Sequence, residues 1–286
     1  MTTKRSLVVF VGSVLALWSS LTVAPLGAAD IDTCKPINSV PFTINSPGVY
    51  CLRQNTSVVM NSGHAIEVDT SNVVVDLSGF QLNGGGNAAS QAVGIHSGPH
   101  LNVTVRNGTV RGFFVGVFLG DTDSAVSSGH VVEDLRTHFN RFAGIRVAGR
   151  DSIVRNNLVY GTGGSTYGPT IYTGIGVQGG GGIQVLNNDV LKTSAGTISG
   201  IGISVACNEG CIIEGNRIGN LTLPEVGSPV HGIQVGFSND VLVVNNRITK
   251  TNTGITFSAA SGKYRDNLTS GVPTPFTGGT AVGLND

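Results

Sequence analysis

Short apolar runs of β-branched residues, bounded by Gly, Asn or Ser, fill most of the chain, and helical periodicity is weak throughout. One pattern recurs: a small residue, then Ile or Val, then any residue, then a second apolar or small residue. It stands at Ala65-Ile66-Glu67-Val68, Gly94-Ile95-His96-Ser97, Gly116-Val117-Phe118-Leu119 and Gly144-Ile145-Arg146-Val147. It continues at Gly174-Ile175-Gly176-Val177, Gly202-Ile203-Ser204-Val205, Gly232-Ile233-Gln234-Val235 and Gly254-Ile255-Thr256-Phe257. Successive copies are 29, 22, 28, 30, 28, 30 and 22 residues apart. A basic period near 22 residues with insertions in most turns marks a solenoid, in which each unit buries its apolar face only by stacking on its neighbours.

A second strand is predicted after each of the first seven copies, at 73–75, 103–105, 131–132, 153–154, 183–185, 212–213 and 241–243. Asn157, Asn188, Asn216, Asn246 and Asn267 then follow at a fixed offset from an apolar or aromatic strand residue. In a parallel solenoid such residues stack coil upon coil, with side-chain amides bonded to each other and to turn backbone. Strand alternation turns each repeated Ile or Val inward, together with the residue two after it. The residues between form an outward column: Glu67, His96, Phe118, Arg146, Gly176, Ser204, Gln234 and Thr256.

The first 29 residues obey a different rule. Lys4 and Arg5 precede an apolar run from Leu7 to Val23, with Gly27 and Ala29 at the small-residue positions before a cut. Residues 1–29 therefore read as a secretory signal cleaved after Ala29, which implies a periplasmic or extracellular protein. No later apolar run reaches membrane-spanning length, so no span is expected in the mature chain.

Of 17 basic and 17 acidic residues the signal removes two basic ones, leaving 15 against 17. This slight acidic excess lacks the basic footprint of a nucleic-acid binder. The cysteines fall in two close pairs, Cys34 with Cys51 and Cys207 with Cys211. Export makes two local disulfides the expected outcome, and no histidine stands at zinc-finger spacing from either pair.

The repeat, the Asn ladder, and stretches such as Val73-Val74-Val75-Asp76-Leu77-Ser78-Gly79 and Val105-Arg106-Asn107-Gly108-Thr109-Val110-Arg111-Gly112 resemble the pectin-lyase-like right-handed β-helix superfamily. The resemblance runs over roughly residues 63–270. It implies an all-β, single-domain right-handed parallel β-helix of about eight coils over residues 63–271, one for each copy of the repeat. Residues 30–62 are expected to cap the first coil with the help of a disulfide, and residues 272–286 to form a C-terminal cap or tail. The superfamily includes polysaccharide lyases, hydrolases, epimerases, accessory proteins and phage tailspikes, so the resemblance implies a fold more sharply than an activity. The paired-Asp pattern with Gly-His-Gly of related polygalacturonases is missing, as is the Asp-Pro-His-Asp of alginate epimerases.

In that superfamily substrates lie along the outside of one parallel sheet, which directs attention to the outward column. Glu67 and His96 would be neighbours there, and Arg146 would stand about 10 Å beyond His96 with Phe118 between. Glu67 orienting His96 as proton acceptor, with Arg146 neutralising a sugar carboxylate, suits proton abstraction beside the carboxyl of a uronate. The bland alternative is an ordinary polar column on a solvated sheet.

Phe118 and Gln234 of the column, with Tyr160, Tyr167 and Tyr172 around the insertion at 161–173, are the expected substrate-binding residues. The tyrosines equally suit a cover for the apolar edge of the coil. Loops 192–200 and 219–230 are expected to extend the same wall. Calcium is the one cofactor left open, through Asp121 and Asp123, although two carboxylates fall short of its usual 6 to 8 oxygen ligands. Asp76, Arg106, Glu133 and Arg155 should form a structural column of alternating charge. His130 and His138 receive no role. Two functions remain: a carbohydrate-active lyase or epimerase on a uronate polymer, and a non-catalytic polysaccharide-binding, envelope or display solenoid.

Overall fold

The computed structural model describes residues 34–121, 126–167, 171–194, 197–221 and 229–286. The expected signal, Asp123, and parts of the insertion at 161–173 and of the loops at 192–200 and 219–230 lie outside the described residues. Thr33–Asp286 form one compact unit. All regular elements of the described residues are strands, and every pairing between them is parallel.

Ten strands stack as one sheet, here the front sheet, running from Phe42–Ile44 through His64–Val68, Val93–Ser97, Val115–Leu119 and Ala143–Ala148 to Thr274–Thr277. The eight repeats occupy its eight middle strands in the expected register. Ile66 pairs with Ile95, Ile95 with Val117, Val117 with Ile145, and so on to Ile233 with Ile255. These residues are buried, and so are Val68, Ser97, Leu119, Val147, Val177, Val205, Val235 and Phe257 two positions on. The outward column from Glu67 to Thr256 is half-buried throughout, so the inward and outward assignment holds for every repeat.

The glycine before the repeated Ile or Val, present in every copy but the first, where Ala65 stands, is a packing requirement. A Cβ on Gly116 would lie 2.6 Å from the carbonyl oxygen of Gly144, and one on Gly202 would lie 2.6 Å from that of Gly232. Successive coils approach too closely there for a side chain. The glycine also breaks strand alternation: a Cβ on Gly94 would point inward at Val110 and Phe113, and the register passes from Val93 straight to Ile95. The residue two before each Ile therefore joins the outer face. That second outer row reads His64, Val93, Val115, Ala143, Thr173, Ile201, His231 and Thr253.

The rest of each coil carries two strand segments, so the sequence pattern missed a third segment of about three residues. Leu158–Tyr160, Asp189–Leu191, Arg217–Gly219 and Arg247–Thr249 are examples, each burying one apolar residue: Val159, Val190, Ile218 or Ile248. The corner between the second and third segments is a residue with positive φ, namely Asn156, Asn187, Gly215, Asn245 or Asp266. Glycine, Asn and Asp tolerate that conformation best. The ladder asparagine follows at once. Asn157, Asn188, Asn216, Asn246 and Asn267 are buried, and each Nδ2 donates to the next Oδ1 at 2.9–3.1 Å, ending on Asn285. The same amides donate to the carbonyls of Val132, Val154, Val185, Ile213 and Val243.

Both ends extend further than the repeat suggests. Phe42–Ile44, Gly48–Cys51 and Thr56–Ser57 pair with the following coil as any interior strands do, and Cys34 is bonded to Cys51. Thr274–Thr277 and Thr280–Ala281 add strands at the other end, so residues 272–286 form coil rather than loose tail. Cys207 is bonded to Cys211 at one turn. The charge column also forms: Arg106 Nε lies 2.9 Å from Asp76, and Arg155 Nη2 lies 2.6 Å from Glu133. No helix of the described residues is long and apolar enough to cross a membrane.

Candidate functional site

The outer face of the front sheet carries three chemically distinct zones in line. At the first, neighbouring strands bring Glu67 opposite His96, and His96 Nδ1 lies 3.0 and 3.1 Å from the two carboxylate oxygens. His64, three residues before Glu67 in its own strand, reaches the same carboxylate through its own Nδ1. The two imidazoles stack with centroids 4.0 Å apart. Their side chains retain 35% exposure at His64 and 18% at His96, so the group opens to solvent. A carboxylate only accepts, so an Nδ1 bonded to it carries the proton and leaves Nε2 with a lone pair. Burial, with His96 alongside, holds His64 below the ordinary imidazole pKa despite the opposing pull of Glu67.

The second zone is aromatic. Phe118 meets His96 edge-on at 5.4 Å, and the Arg146 guanidinium lies over its ring at 4.8 Å. Phe114 and Phe142 stack at 4.7 Å and pack with Phe118 against Val93, Val115 and Ala143 of the second outer row. Tyr167 meets Phe114 edge-on and remains 54% exposed, so it borders this face as expected.

Arg146 opens the third zone. Burial lowers its pKa, Nη2 donates to Gln178 Oε1 at 3.3 Å, and among the described residues it has no carboxylate partner. Beside it lies an open cleft of about 270 Å³ floored by Gly176, Ser204 and Gln234 and walled by Phe142 and Ile171. Gly176 contributes no side chain to the column, which deepens the floor.

The expected residues thus divide. Glu67, His96, Phe118, Arg146, Gln234 and Tyr167 share one face. Tyr160 does not: it belongs to the other sheet, among His138, Phe139 and Lys192, because its strand lies after the corner and not before it. Tyr172 is buried, and its hydroxyl donates to the Ser165 carbonyl at 2.8 Å, so it pins the insertion and offers no surface for stacking. Of the calcium pair, Asp123 falls outside the described residues. His64, Phe114 and Phe142 escaped the sequence reading: strict alternation places His64, two before the repeated Ile66, on the inside, and Phe114 and Phe142 lie before the four-residue repeat on which the column was built.

Residues 92–269 match the family model described as right handed beta helix region, and the chain belongs to that family. No curated protein matches it. Among solved structures it is similar to the Dettilon tailspike protein, at 13% identity and a TM-score of 0.53, over 80% of this chain and 53% of that one. It is also similar to the enzymatically active domain of tailspike protein 2 from bacteriophage CBA120, at 12% identity and a TM-score of 0.51, over 85% of this chain and 38% of that one. A third is pectate lyase Pel9A, at 14% identity and a TM-score of 0.49, over 84% and 70%. The chain thus spans about half of the Dettilon protein.

Proposed function

We propose that this is an exported protein that binds and processes a uronate-containing polysaccharide along the outer face of the front sheet. The observation that carries the reading is one continuous face with a carboxylate-held imidazole at one end and a carboxylate-free, partly buried guanidinium two coils away. Coil spacing matches an extended ligand, because neighbouring strands stand about 4.8 Å apart. Phe118 and Tyr167 offer ring faces and edges for sugars, and Gln178, Ser204 and Gln234 offer hydrogen bonds in the cleft. The two disulfides fit an oxidising compartment.

In the chemical step His96 Nε2 takes the proton next to the uronate carboxyl, while Glu67 holds the opposite nitrogen and stabilises the imidazolium. The electron pair left on carbon delocalises into the carboxylate, where the guanidinium of Arg146 neutralises the added charge. When that pair forms a carbon–carbon double bond, the neighbouring glycosidic C–O bond breaks, its oxygen leaves with the bonding pair and takes a proton from water, and the product is an unsaturated sugar and a new chain end. Return of a proton from the opposite side gives the epimer. The enzymatically active tailspike domain shares this fold, which supports catalysis by fold-level analogy alone.

The test is a panel of uronate and neutral polysaccharides incubated with the mature protein. Absorbance near 235 nm, about where unsaturated uronates absorb, and NMR for epimerised sugars report the two outcomes. Activity lost in H96A and R146A, with the circular dichroism spectrum retained, supports the reading. Silence in both readouts alongside measurable binding to one polymer reduces the protein to a non-catalytic binder, the second function the sequence allowed.

A further inference from the structure

We infer that His64, Glu67 and His96 form a site for one first-row divalent ion of the zinc class. The inference does not rest on the polysaccharide reading, although it uses two of the same residues. The three side chains offer two Nδ1 atoms and a carboxylate oxygen, all within 4.8 Å of one another. Two ligands on one tetrahedral ion bonded at about 2.0 to 2.2 Å stand roughly 3.3 to 3.6 Å apart, so small side-chain adjustments close the three on a single ion. Both imidazoles turn the same nitrogen toward the same carboxylate, and their stacked rings bring those nitrogens together on one side. An ion at that point replaces the two protons that otherwise bridge the imidazoles to Glu67.

The ligands stand on rigid elements. His96 faces Glu67 in register across paired strands, and the register, which skips Ala65, puts His64 on the same face three residues before Glu67. Such positions hold geometry better than loops do. Two imidazoles and one carboxylate select zinc or its neighbours, since calcium prefers an all-oxygen shell of 6 to 8 ligands. Solvent exposure on this face leaves a coordination position open, as in zinc sites that bind water or substrate.

Occupancy has a consequence for His96. With the ion on Nδ1, the ring proton moves to Nε2, and that nitrogen no longer accepts a proton. The ion would therefore silence the proton abstraction proposed above, and its removal would restore it.

The experiment uses tag-free mature protein stripped with a chelator and titrated with zinc chloride alone by calorimetry, with and without millimolar calcium. The expected result is one zinc per chain, indifferent to calcium. H64A and E67Q should each weaken it by more than about 10-fold, because loss of a ligand costs at least as much as loss of a ligand's hydrogen-bond partner. H231A, on the same outer row at the far end of the face, should leave it unchanged, and cobalt should give a visible absorption band in wild type that H64A lacks. Circular dichroism of each variant reports the fold. Absence of saturable zinc binding, binding that survives both H64A and E67Q in folded protein, or binding abolished by H231A would each overturn the inference. None of these readouts depends on a polysaccharide, so silence in the substrate panel leaves them intact.

Discussion

His130 lies fully buried with both ring nitrogens engaged: the backbone N–H of Val103 donates to Nδ1 at 3.4 Å, and Nε2 meets Ser127 Oγ at 2.7 Å. Burial, then the nearby His100, pull the pKa from 6.5 to about 4, against the opposing pull of a backbone hydrogen bond at Val103. Between those values the unfolded chain binds more protons than the folded one, so stability rises with pH. The contribution is complete above pH 6.5 and is lost as pH falls to about 4. It amounts to about 3 kcal/mol. Urea unfolding at intervals from pH 7 to 4 should show H130Q with a shallower decline than wild type by about that amount, and parallel declines would contradict the assignment. Sequence alone left His130 without a role, because nothing in its neighbours reveals whether a histidine faces inward. Glu67 and His96 were legible, since their column follows from alternation alone. His64 was not, because the strand's phase shifts by one residue at Ala65, which the register skips between His64 and Ile66.

Among elements, the Asn ladder and the charge column are both periodic, both visible in the sequence, and unequal in energy. Asn216 donates to Asn246 Oδ1 and the Val185 carbonyl and accepts from the backbone and side-chain nitrogens of Asn188, all without access to water. Truncation strands several buried partners at once, so N216A should lose about 2 to 4 kcal/mol in denaturant unfolding. Arg155 keeps 47% of its side chain exposed beside Glu133, and R155A should lose less than about 1 kcal/mol in the same experiment. A ladder variant no more damaging than the surface one would show that the amide stack is not a source of stability. The first strands were legible because each buries two residues at alternating positions, and second strands such as Ile153–Arg155, Gln184–Leu186 and Ile212–Glu214 because their one buried residue continues an alternation begun by Ser152, Ile183 or Cys211 just before them. The third segment buries one residue in about three, and so short a pattern carries no period to read.

At the scale of the whole molecule each coil rests on its two neighbours, so stability is nearly a sum over interfaces and the end coils, with one neighbour each, are the weakest. The two disulfides act differently in such a body. Cys34 and Cys51 are separated by 17 residues and tie the first strands of the open end, whereas Cys207 and Cys211 are separated by 4 and lie among coils stacked on both sides. Loop-closure entropy assigns about 3 kcal/mol to the longer loop and about 2 to the shorter. Position matters more than this difference. Loss of the terminal bridge frees a coil that no described residue covers on its outer side, while loss of the interior one relaxes a turn whose strands remain paired on both faces. Hydrogen exchange should therefore show C34S/C51S losing protection across residues 35–57 with the coils beyond 93 unchanged, and C207S/C211S losing it only around the turn at 207–211. Uniform loss of protection in the terminal variant would mean that the solenoid unfolds as a single cooperative unit, in which case the end coil is as stable as any other.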